Sequence, residues 1–279
     1  PQANGGSHPA HRGEENTMSY DNQNFAVNRI GGDANQGLYA ESSTAKHNLG
    51  EKLELADGRC FRYCYFDAAV TVGKMVAPDM STASAVEISD GTIATGGAGS
   101  SVVTITGSGS AGPPADFQGV SANQYSGSYL HITDGAGEGF TYRIKSNGAA
   151  SSDAVEFTLY DPIVTALATG ASDFAISPGL FKNVHITDAT QGAVVDYIPV
   201  GVTVRGVTAE YYAWVQTKGA GTVLADGTIT LANRLTLSDG TNGAVQLKDA
   251  EVEVEIGYAL ATVATGEYAP VMLNGQNID

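Results

Sequence analysis

Apolar and polar residues alternate with a period of two along most of the chain. The clearest example is the stretch "EKLELADGRCFRYCYF" (51–66), in which two alternating runs are separated by Asp57 and Gly58. Successive side chains of a β-strand point to opposite faces, and an Asp-Gly pair between two such runs is typical of a hairpin turn. The stretch therefore predicts two antiparallel strands joined by a tight turn.

Short strand-like segments continue through the middle of the chain. A strand is predicted at Val102 to Thr106, and four more segments follow at intervals of about ten residues between 127 and 177. Turn residues separate these segments, and such spacing is typical of a β-sandwich or β-barrel. The stretch "AVTVGKMVAPD" (69–79) predicts a further strand and turn, and "DPIVTALATG" (161–170) is the best candidate for a short helix.

The last third of the chain is strand-like throughout. In "EVEVEIGYAL" (251–260) the acidic residues Glu251, Glu253 and Glu255 alternate with aliphatic residues. This alternation predicts one acidic face toward water or a basic partner and one face in the core. The predicted fold is mainly β, with β-sandwich or β-barrel lobes, Gly-rich turns, an extended N-terminal arm and little helix.

Changes in composition divide the chain into predicted regions. Residues 1–45 are polar and rich in Gly and Asn without a helical period, so they predict an extended arm. Near residue 90 the chain becomes rich in Gly and Ser. We predict that residues 46–85 pair with 186–279 in one β-lobe, and that residues 86–185 form an inserted β-rich lobe.

The formal net charge is −16, from 14 Lys and Arg against 30 Asp and Glu. An acidic surface repels phosphate backbones and anionic lipid, which argues against nucleic acid and membrane as partners. No window approaches the roughly 18 apolar residues of a spanning helix, and no signal peptide pattern opens the sequence. Charged residues are 16% of the chain, below the roughly 25% of an ordinary soluble domain, which predicts that neighbouring subunits cover much of the surface.

The two cysteines, Cys60 and Cys64, lie in "RCFRYCYF" (59–66). On a strand they share a face, but four residues at about 3.3 Å each place them roughly 13 Å apart. A disulfide needs Cα atoms within about 7 Å, so the two cannot bridge each other there. A metal site would need further ligands, and the nearest histidine in sequence is His47 alone. We predict two buried thiols and assembly in a reducing cell interior.

The only tryptophan lies in "TAEYYAWVQTKG" (208–219), where alternation puts Tyr212, Trp214 and Gln216 on one face of a strand. Such residues usually pack in a core or at a subunit contact, and a sugar- or base-stacking platform is the alternative. Large aromatic residues also dominate the energetics of interfaces. The residues predicted for a subunit or capsid interface are Phe61, Tyr63, Tyr211, Tyr212, Trp214 and Tyr268. For Tyr211, Tyr212 and Trp214 a packed core is the alternative.

Two similar stretches, "LHITDG" and "VHITDA", contain His131 and His185. With Asp134 and Asp188 close by, they would offer ligands for a divalent metal if the two stretches were neighbours. Histidines that cap strand ends are the alternative, and we predict no metal site. The stretch "DGAGEG" (134–139) lacks the ligand spacing of an EF-hand and predicts a glycine-rich turn.

Motifs for nucleophilic catalysis and nucleotide binding are absent from the sequence. It contains no Gly-x-Ser-x-Gly elbow, and its glycines stand in β-turn contexts instead of before helices. The 30 acidic residues leave a glycosidase-like pair of carboxylates open. We predict no enzymatic activity, no catalytic residues and no cofactor.

Three stretches resemble structural proteins of tailed bacteriophages. "GEKLELADGRCFRYCYFDAAVTVGKMV" (50–76) is similar to the opening hairpin of small structural proteins with the pattern Asp-Gly-Arg-x-Phe-Arg-Tyr. "VGVTVRGVTAEYYAWVQTKGAGTVLADGT" (200–228) resembles their Tyr-Tyr-x-Trp-Val-Gln-Thr-x-Gly strand pair. "VEIGYALATVATGEYAPVMLNG" (254–275) resembles an ending that is also found in head-decoration proteins.

This resemblance implies a non-enzymatic capsid decoration, or cement, protein. Such a protein binds the outer surface of the phage head, clamps neighbouring major capsid subunits and thereby stabilises the capsid, commonly as a homotrimer. The expected partners are the major capsid protein and further copies of this chain, and the expected location is the capsid exterior after assembly in the host cytoplasm. An acidic exterior suits a protein kept away from packaged DNA, and a polar arm that orders on docking suits a clamp.

Three alternatives compete with decoration of the head. A tail, baseplate or fibre protein with a glycan-binding surface would expose clustered aromatic residues beside acids. A polysaccharide hydrolase or lyase would place paired carboxylates in an aromatic-lined cleft. A major shell subunit would carry a long helix, and no 20-residue helical stretch is visible in the sequence.

Overall fold

The computed structural model describes residues 36–78, 92–107, 117, 119–189 and 198–275. These residues contain no α-helix, and no helix among them is long and apolar enough to cross a membrane. The prediction of a mainly β fold is confirmed. The strands are β1 (Glu41–Ser42), β2 (Lys52–Glu54), β3 (Cys60–Tyr65), β4 (Met75–Pro78), β5 (Thr92–Thr95), β6 (Val102–Thr106), β7 (Tyr129–Asp134), β8 (Thr141–Asn147), β9 (Ala154–Leu159), β10 (Asp173–Ser177), β11 (Val184–Ile186), β12 (Gly201–Thr203), β13 (Tyr212–Leu224), β14 (Arg234–Leu237), β15 (Val245–Leu247), β16 (Gly257–Ala259) and β17 (Tyr268–Asn274).

The strands form two sheets. An 11-stranded sheet has the order β11-β4-β12-β13-β17-β16-β14-β15, with β1 and β3 also paired to β13 and with β2 paired to β3. A six-stranded sheet has the order β10-β7-β8-β9-β6-β5, so its strands all come from the chain between β4 and β11. The division of the chain into an arm, a discontinuous lobe and an inserted lobe that fold as units stays a prediction.

The long strand β13 joins the two halves of the 11-stranded sheet. Its first half, Tyr212 to Lys218, pairs with β3, and its second half, Lys218 to Leu224, pairs with β17. A register shift between Gln216 and Lys218 lies where the partner changes, and such irregularities bend a strand and increase its twist. The strand predicted within 208–219 is confirmed and continues to Leu224.

Most of the predicted strands are present. β2 and β3 form the predicted hairpin around Asp57 and Gly58, and Gly58 has a φ of 83°, a conformation that suits a residue without Cβ. The predicted strand Val102–Thr106 is β6, and the four segments between 127 and 177 are β7 to β10. The strand predicted within 69–79 is β4.

Each sheet buries its own apolar side chains. One core cluster, which contains Phe117, Phe157 and Phe174, belongs to the six-stranded sheet and the loops beside it. Three other clusters belong to the 11-stranded sheet and its loops, and they share no residue with the first. The hydrophobic stabilisation of the two sheets therefore comes from separate sets of residues.

The helix predicted at 161–170 is wrong. The backbone N–H of Ile163 donates to the carbonyl of Ser100 at 2.8 Å, and the N–H of Leu167 donates to the carbonyl of Gly96 at 2.8 Å. This segment thus bonds to the loop between β5 and β6 instead of to itself. Ile163 and Leu167 are both buried, so their spacing of four, which resembles one face of a helix, reflects two contacts with the core from an irregular segment.

The alternation predicted for 251–256 fails at Val252 and Glu253, while Glu251 is exposed and Ile256 is buried as predicted. Val252 is 76% exposed and Glu253 is 7% exposed, the reverse of the predicted faces. Glu253 Oε2 accepts hydrogen bonds from the backbone N–H groups of Asp249 at 3.0 Å and Ala250 at 3.2 Å. The carboxylate caps a turn, because charge-assisted bonds to backbone N–H groups stabilise it there.

Both cysteines lie on β3 and are buried, and no disulfide joins Cys60 to Cys64. The thiol of Cys64 lies 3.6 Å from the carbonyl oxygen of Arg62. Burial raises the pKa of the Cys64 thiol. Because the thiolate is the reactive form, a raised pKa keeps this side chain protonated and inert at neutral and mildly alkaline pH.

We expect the thiols of the native chain to react with DTNB at about pH 8 at least 100-fold more slowly than the same thiols in urea. The Cys60→Ser variant isolates Cys64, whose raised pKa predicts a small thiolate fraction in the native chain, and Cys64→Ser isolates Cys60. Labelling of native Cys60→Ser at the rate of the unfolded protein would contradict the burial of Cys64.

Candidate functional site

Three of the six residues predicted for an interface lie inside the chain. Phe61 and Tyr63 have 0% of their surface exposed and Trp214 has 3%, and the three form one core cluster. The rings of Tyr63 and Trp214 meet edge to face with centroids 5.1 Å apart, and burial raises the pKa of Tyr63 to about 12. Side chains so enclosed belong to the packed core and present no surface to a neighbouring subunit.

The segment around Gln36 closes this aromatic core. Trp214 Nε1 donates a hydrogen bond to the Gln36 carbonyl at 3.2 Å, and the Tyr63 hydroxyl donates to Gln36 Oε1 at 2.6 Å. β1 then pairs with the beginning of β13. Residues 36–42 of the predicted arm thus lie against the 11-stranded sheet, and residues 1–35 lie outside the described residues.

A buried histidine that the sequence left without a role packs on the same rings. The His47 ring lies 5.0 Å from Trp214 and 5.1 Å from Tyr63 between centroids. His47 Nδ1 lies 2.9 Å from Glu51 Oε1, and the two side chains are only 2% and 9% exposed. The pair holds its loop on the aromatic core. His47 and Glu51 are four residues apart in a loop, and this spacing does not predict a contact of His47 with Tyr63 or Trp214. Only tertiary packing brings these rings together.

The other three predicted residues have different environments. Tyr212 is half-buried and stacks on Tyr63 with centroids 5.9 Å apart. Tyr211 packs against another core cluster of the 11-stranded sheet. Tyr268 is 45% exposed at the start of β17. A role of these three tyrosines at an interface stays a prediction, and Tyr268 stands in an exposed apolar surface.

One side of β13, β16 and β17 carries apolar side chains that point away from the core. Every second residue of β17 from Tyr268 to Met272 is exposed, and the residues between them are buried. Met272 lies opposite Tyr258 of β16 and opposite Ala220 of β13, so the three side chains form a row across the sheet. The outer apolar face comprises Ala220, Thr222, Leu224, Arg234, Tyr258, Tyr268, Pro270 and Met272.

The outer apolar face differs from an ordinary solvated sheet surface. The opposite side of the same strands already packs into the core cluster that contains Val223 and Val271. An antiparallel sheet with one solvated side normally carries polar residues on that side. Here only Thr222 and Arg234 are polar, and the two tyrosines and the methionine are between 42% and 45% exposed. An apolar surface of this kind is typical of a protein interface.

The two histidines considered as metal ligands lie in different sheets, on β7 and β11. His131 Nε2 lies 2.8 Å from Ser177 Oγ, and its Nδ1 lies 3.1 Å from Thr141 Oγ1. His185 Nδ1 lies 4.0 Å from Asp67 Oδ1. Within the described ranges no group of three or more His, Cys, Asp or Glu side chains could hold a metal ion. Each histidine thus contacts its own neighbouring elements.

Residues 134–139 form a glycine-rich turn after β7, as predicted. Gly135, Gly137 and Gly139 have φ values of 78°, 87° and 84°, in the left-handed region that favours glycine. A Cβ at Gly135 would lie 2.2 Å from the carbonyl oxygen of Ala171. These glycines therefore serve the turn and its close contact with the loop before β10.

Comparison with known proteins gives two similarities. No family model matches the chain. Over 186 residues the chain is 28% identical to the tail spike protein of Escherichia virus K5, a match that covers 65% of this chain and 27% of the tail spike. The chain thus matches about a quarter of the length of that relative.

The chain also shows a likeness to the crystal structure of the head fiber gp8.5 N base of bacteriophage phi29. This likeness has a TM-score of 0.24 and 15% identity, and it covers 62% of this chain and 95% of that chain. Such a TM-score is too low to argue a shared fold. The similarity to the tail spike supports a structural protein of a phage virion, without distinguishing the head from the tail.

Proposed function

We propose that this chain is a non-enzymatic structural subunit of a phage virion that assembles through its outer apolar face. The observation that carries the proposal is that β13, β16 and β17 have apolar residues on both faces. One face packs into the core, and the other is exposed. Burial of exposed apolar surface drives most protein association. The face spans four strands, since Arg234 lies on β14, and it offers aromatic and thioether side chains, the residue types enriched at interfaces.

The occupant that we propose for the outer apolar face is a second copy of this chain. Among the eight residues of the face Arg234 is the one charged side chain, and Lys218, Arg59 and Asp57 border it beside Ala220 and Met272, whereas the whole chain carries 30 acids against 14 bases. Arg234 Nη1 lies 3.6 Å from Glu255 Oε2 at the rim, and its side chain is 63% exposed. We propose that this face and its cation dock on the acidic surface of an identical subunit, since the chain has a net charge of −16. Such a heterologous contact forms a ring only when the rotation between subunits closes, and we propose the three-fold closure of a homotrimer.

For its place on the virion we propose the outside of the head, where the trimer clamps neighbouring major capsid subunits and stabilises the capsid. The resemblance of residues 50–76, 200–228 and 254–275 to head-decoration and other small phage structural proteins supports this place. The similarity to a tail spike protein favours a second candidate, a subunit of the tail or of a fibre.

The assembly is tested by the Met272→Glu variant. Because Met272 is 42% exposed, the substitution should leave the fold intact, while it buries an unpaired charge in the proposed contact and repels the acidic neighbour. We expect mass photometry to show a wild-type trimer, and we expect each contact of the variant to weaken by at least about 30-fold, which corresponds to about 2 kcal/mol.

The matched control is Val164→Glu, which adds the same charge at a 63% exposed site beside the other sheet and should leave the trimer intact. A wild-type monomer at micromolar concentration, or a trimer that survives Met272→Glu, would contradict the proposed interface. Separated phage heads and tails, each sedimented with the purified protein, test the place on the virion. Sedimentation with heads at a fixed ratio supports decoration, and sedimentation with tails alone supports the second candidate.

A further inference from the structure

The two sheets meet at a pocket of about 140 Å³ that has no assigned role. The pocket lies between the loop before β2, strand β3, strand β8 and the segment that leads from β10 to β11. The described residues that line it include Gly50, Arg62, Gly127, Arg143, Gly179 and Lys182.

Three cations from distant parts of the chain line this pocket. Arg62 comes from the 11-stranded sheet, Arg143 comes from the six-stranded sheet, and Lys182 lies in the segment between them. No carboxylate is among the described residues that line the pocket, although the chain has a net charge of −16. Positive side chains that lie close together repel each other, and an anion between them would offset this repulsion. The junction is thus a positive site in an acidic protein.

Arg143 has a buried donor without an acceptor. Its Nη2 donates to the Leu49 carbonyl at 2.9 Å, across the junction of the sheets. Its Nε is buried and has no hydrogen-bond partner among the described residues. A guanidinium presents five N–H donors, and a buried donor without an acceptor destabilises the fold. An oxyanion in the pocket would satisfy this N–H.

The guanidinium groups are held in place by rings and carbonyls. The Arg143 Cζ atom lies 5.1 Å from the centroid of the Tyr160 ring. Arg62 Nη1 donates to the Gly50 carbonyl at 3.0 Å, and its Cζ atom lies 5.7 Å from the centroid of the Phe181 ring. Cation–π contacts and fixed hydrogen bonds limit the rotamers of both side chains, so little conformational entropy is lost when a ligand binds.

Lys182 adds a third positive group. Its Nζ donates to the carbonyl oxygens of Asn123 at 2.9 Å and Gln124 at 2.8 Å. Burial lowers the pKa of the Lys182 ammonium. A nearby anion favours the charged form of a lysine and opposes that shift.

Glycines bring the walls of the pocket close together. A Cβ at Gly179 would lie 2.4 Å from the carbonyl oxygen of Gly127, and a Cβ at Gly50 would lie 2.5 Å from the Phe181 ring. Gly50 also has a φ of 78°, which side chains with a Cβ rarely adopt. The small residues thus leave space at the centre for a ligand of a few heavy atoms.

We propose that this pocket binds a small oxyanion, a carboxylate, sulfate or phosphate group, that bridges Arg62 and Arg143 and so ties the two sheets together. The planar guanidinium fork matches two oxygens of such a group, and Lys182 supplies a further donor. The pocket is small, so the ligand is a free ion or a single anionic group. Since the site exists only in the folded chain, its occupation stabilises the fold.

The proposal is tested with the full chain and with sodium sulfate, sodium phosphate and sodium acetate as probes. Sulfate and phosphate stabilise many proteins by exclusion from their surface, so isothermal titration at constant ionic strength is the primary measurement. We expect the wild-type chain to bind at least one probe with a one-to-one stoichiometry, and we expect Arg143→Gln to weaken that binding at least tenfold.

The matched control is Lys145→Gln, which removes one positive charge from an exposed position of the same strand, outside the pocket lining. It should bind like the wild type. If Arg143→Gln does not fold, Arg143→Lys keeps the charge but loses the planar fork, and it should bind at least threefold more weakly. A wild-type chain that binds none of the three probes, or equal weakening in Lys145→Gln, would overturn the proposal.

Discussion

Replacing Trp214 with alanine is expected to lower the free energy of unfolding by about 3–5 kcal/mol. The side chain is 3% exposed, packs on the rings of His47 and Tyr63, and donates to the Gln36 carbonyl. The substitution leaves a cavity between these groups and removes the hydrogen bond that holds the segment before β1. Because Trp214 is the only tryptophan, unfolding in urea should be followed by far-ultraviolet circular dichroism instead of tryptophan fluorescence.

Tyr39→Ala is the control for this prediction, since it removes a large aromatic side chain that is 62% exposed in the segment before β1, outside the outer apolar face. Its effect on the free energy of unfolding should stay at about 0.5 kcal/mol, as is usual for surface sites. Equal losses of stability in Trp214→Ala and Tyr39→Ala would contradict the burial of the tryptophan.

Phe157→Ala is the second substitution for which we expect a loss of about 3–5 kcal/mol. Phe157 has 0% of its surface exposed, and its ring lies 5.7 Å from the centroids of both Phe117 and Tyr125. These three rings belong to the core of the six-stranded sheet, which shares no residue with the cores of the other sheet. If the predicted inserted lobe folds as a unit, thermal unfolding should show two transitions. Phe157→Ala should then lower the midpoint temperature of one transition and leave that of the other unchanged.

The matched control is Phe140→Ala, which removes the same side chain from a 36% exposed position next to β8. Differential scanning calorimetry of the wild type and of the Phe157→Ala, Phe140→Ala and Trp214→Ala variants measures the midpoint temperature of each unfolding transition. One transition that moves as a whole in Phe157→Ala and in Trp214→Ala would contradict independent lobes. Equal effects of Phe157→Ala and Phe140→Ala would contradict the assignment of Phe157 to the core.

The outer apolar face shows what the strand pattern reveals and what it omits. In β17, "YAPVMLN" (268–274), apolar residues occupy both sides of the strand. An uninterrupted apolar run predicts a strand covered on both faces, but it does not say what covers the second face. The structure places the core on one side and leaves Tyr268 and Met272 exposed on the other. Only this separation makes the outer side a candidate for subunit contact.

Two wrong predictions have a common physical cause. The pattern in 161–170 resembles a helix and the pattern in 251–256 resembles a strand, yet both segments are irregular. In each case hydrogen bonds decided the conformation: Leu167 bonds to Gly96, and Glu253 caps the N–H groups of a turn. Apolar periodicity reports burial, and short segments can reach burial in more than one backbone conformation.

The sequence by itself determined the mainly β class, the hairpin at Asp57 and Gly58, and the strand that contains Trp214, because period-two alternation and turn residues are local properties of the chain. Only the tertiary structure decided that β13 changes partner near Lys218, that Trp214 faces the core, and that the outer side of β17 is exposed. It alone also brings Arg62, Arg143 and Lys182 to one pocket. These features depend on pairing between strands that are distant in sequence, and no local pattern of side chains encodes such contacts.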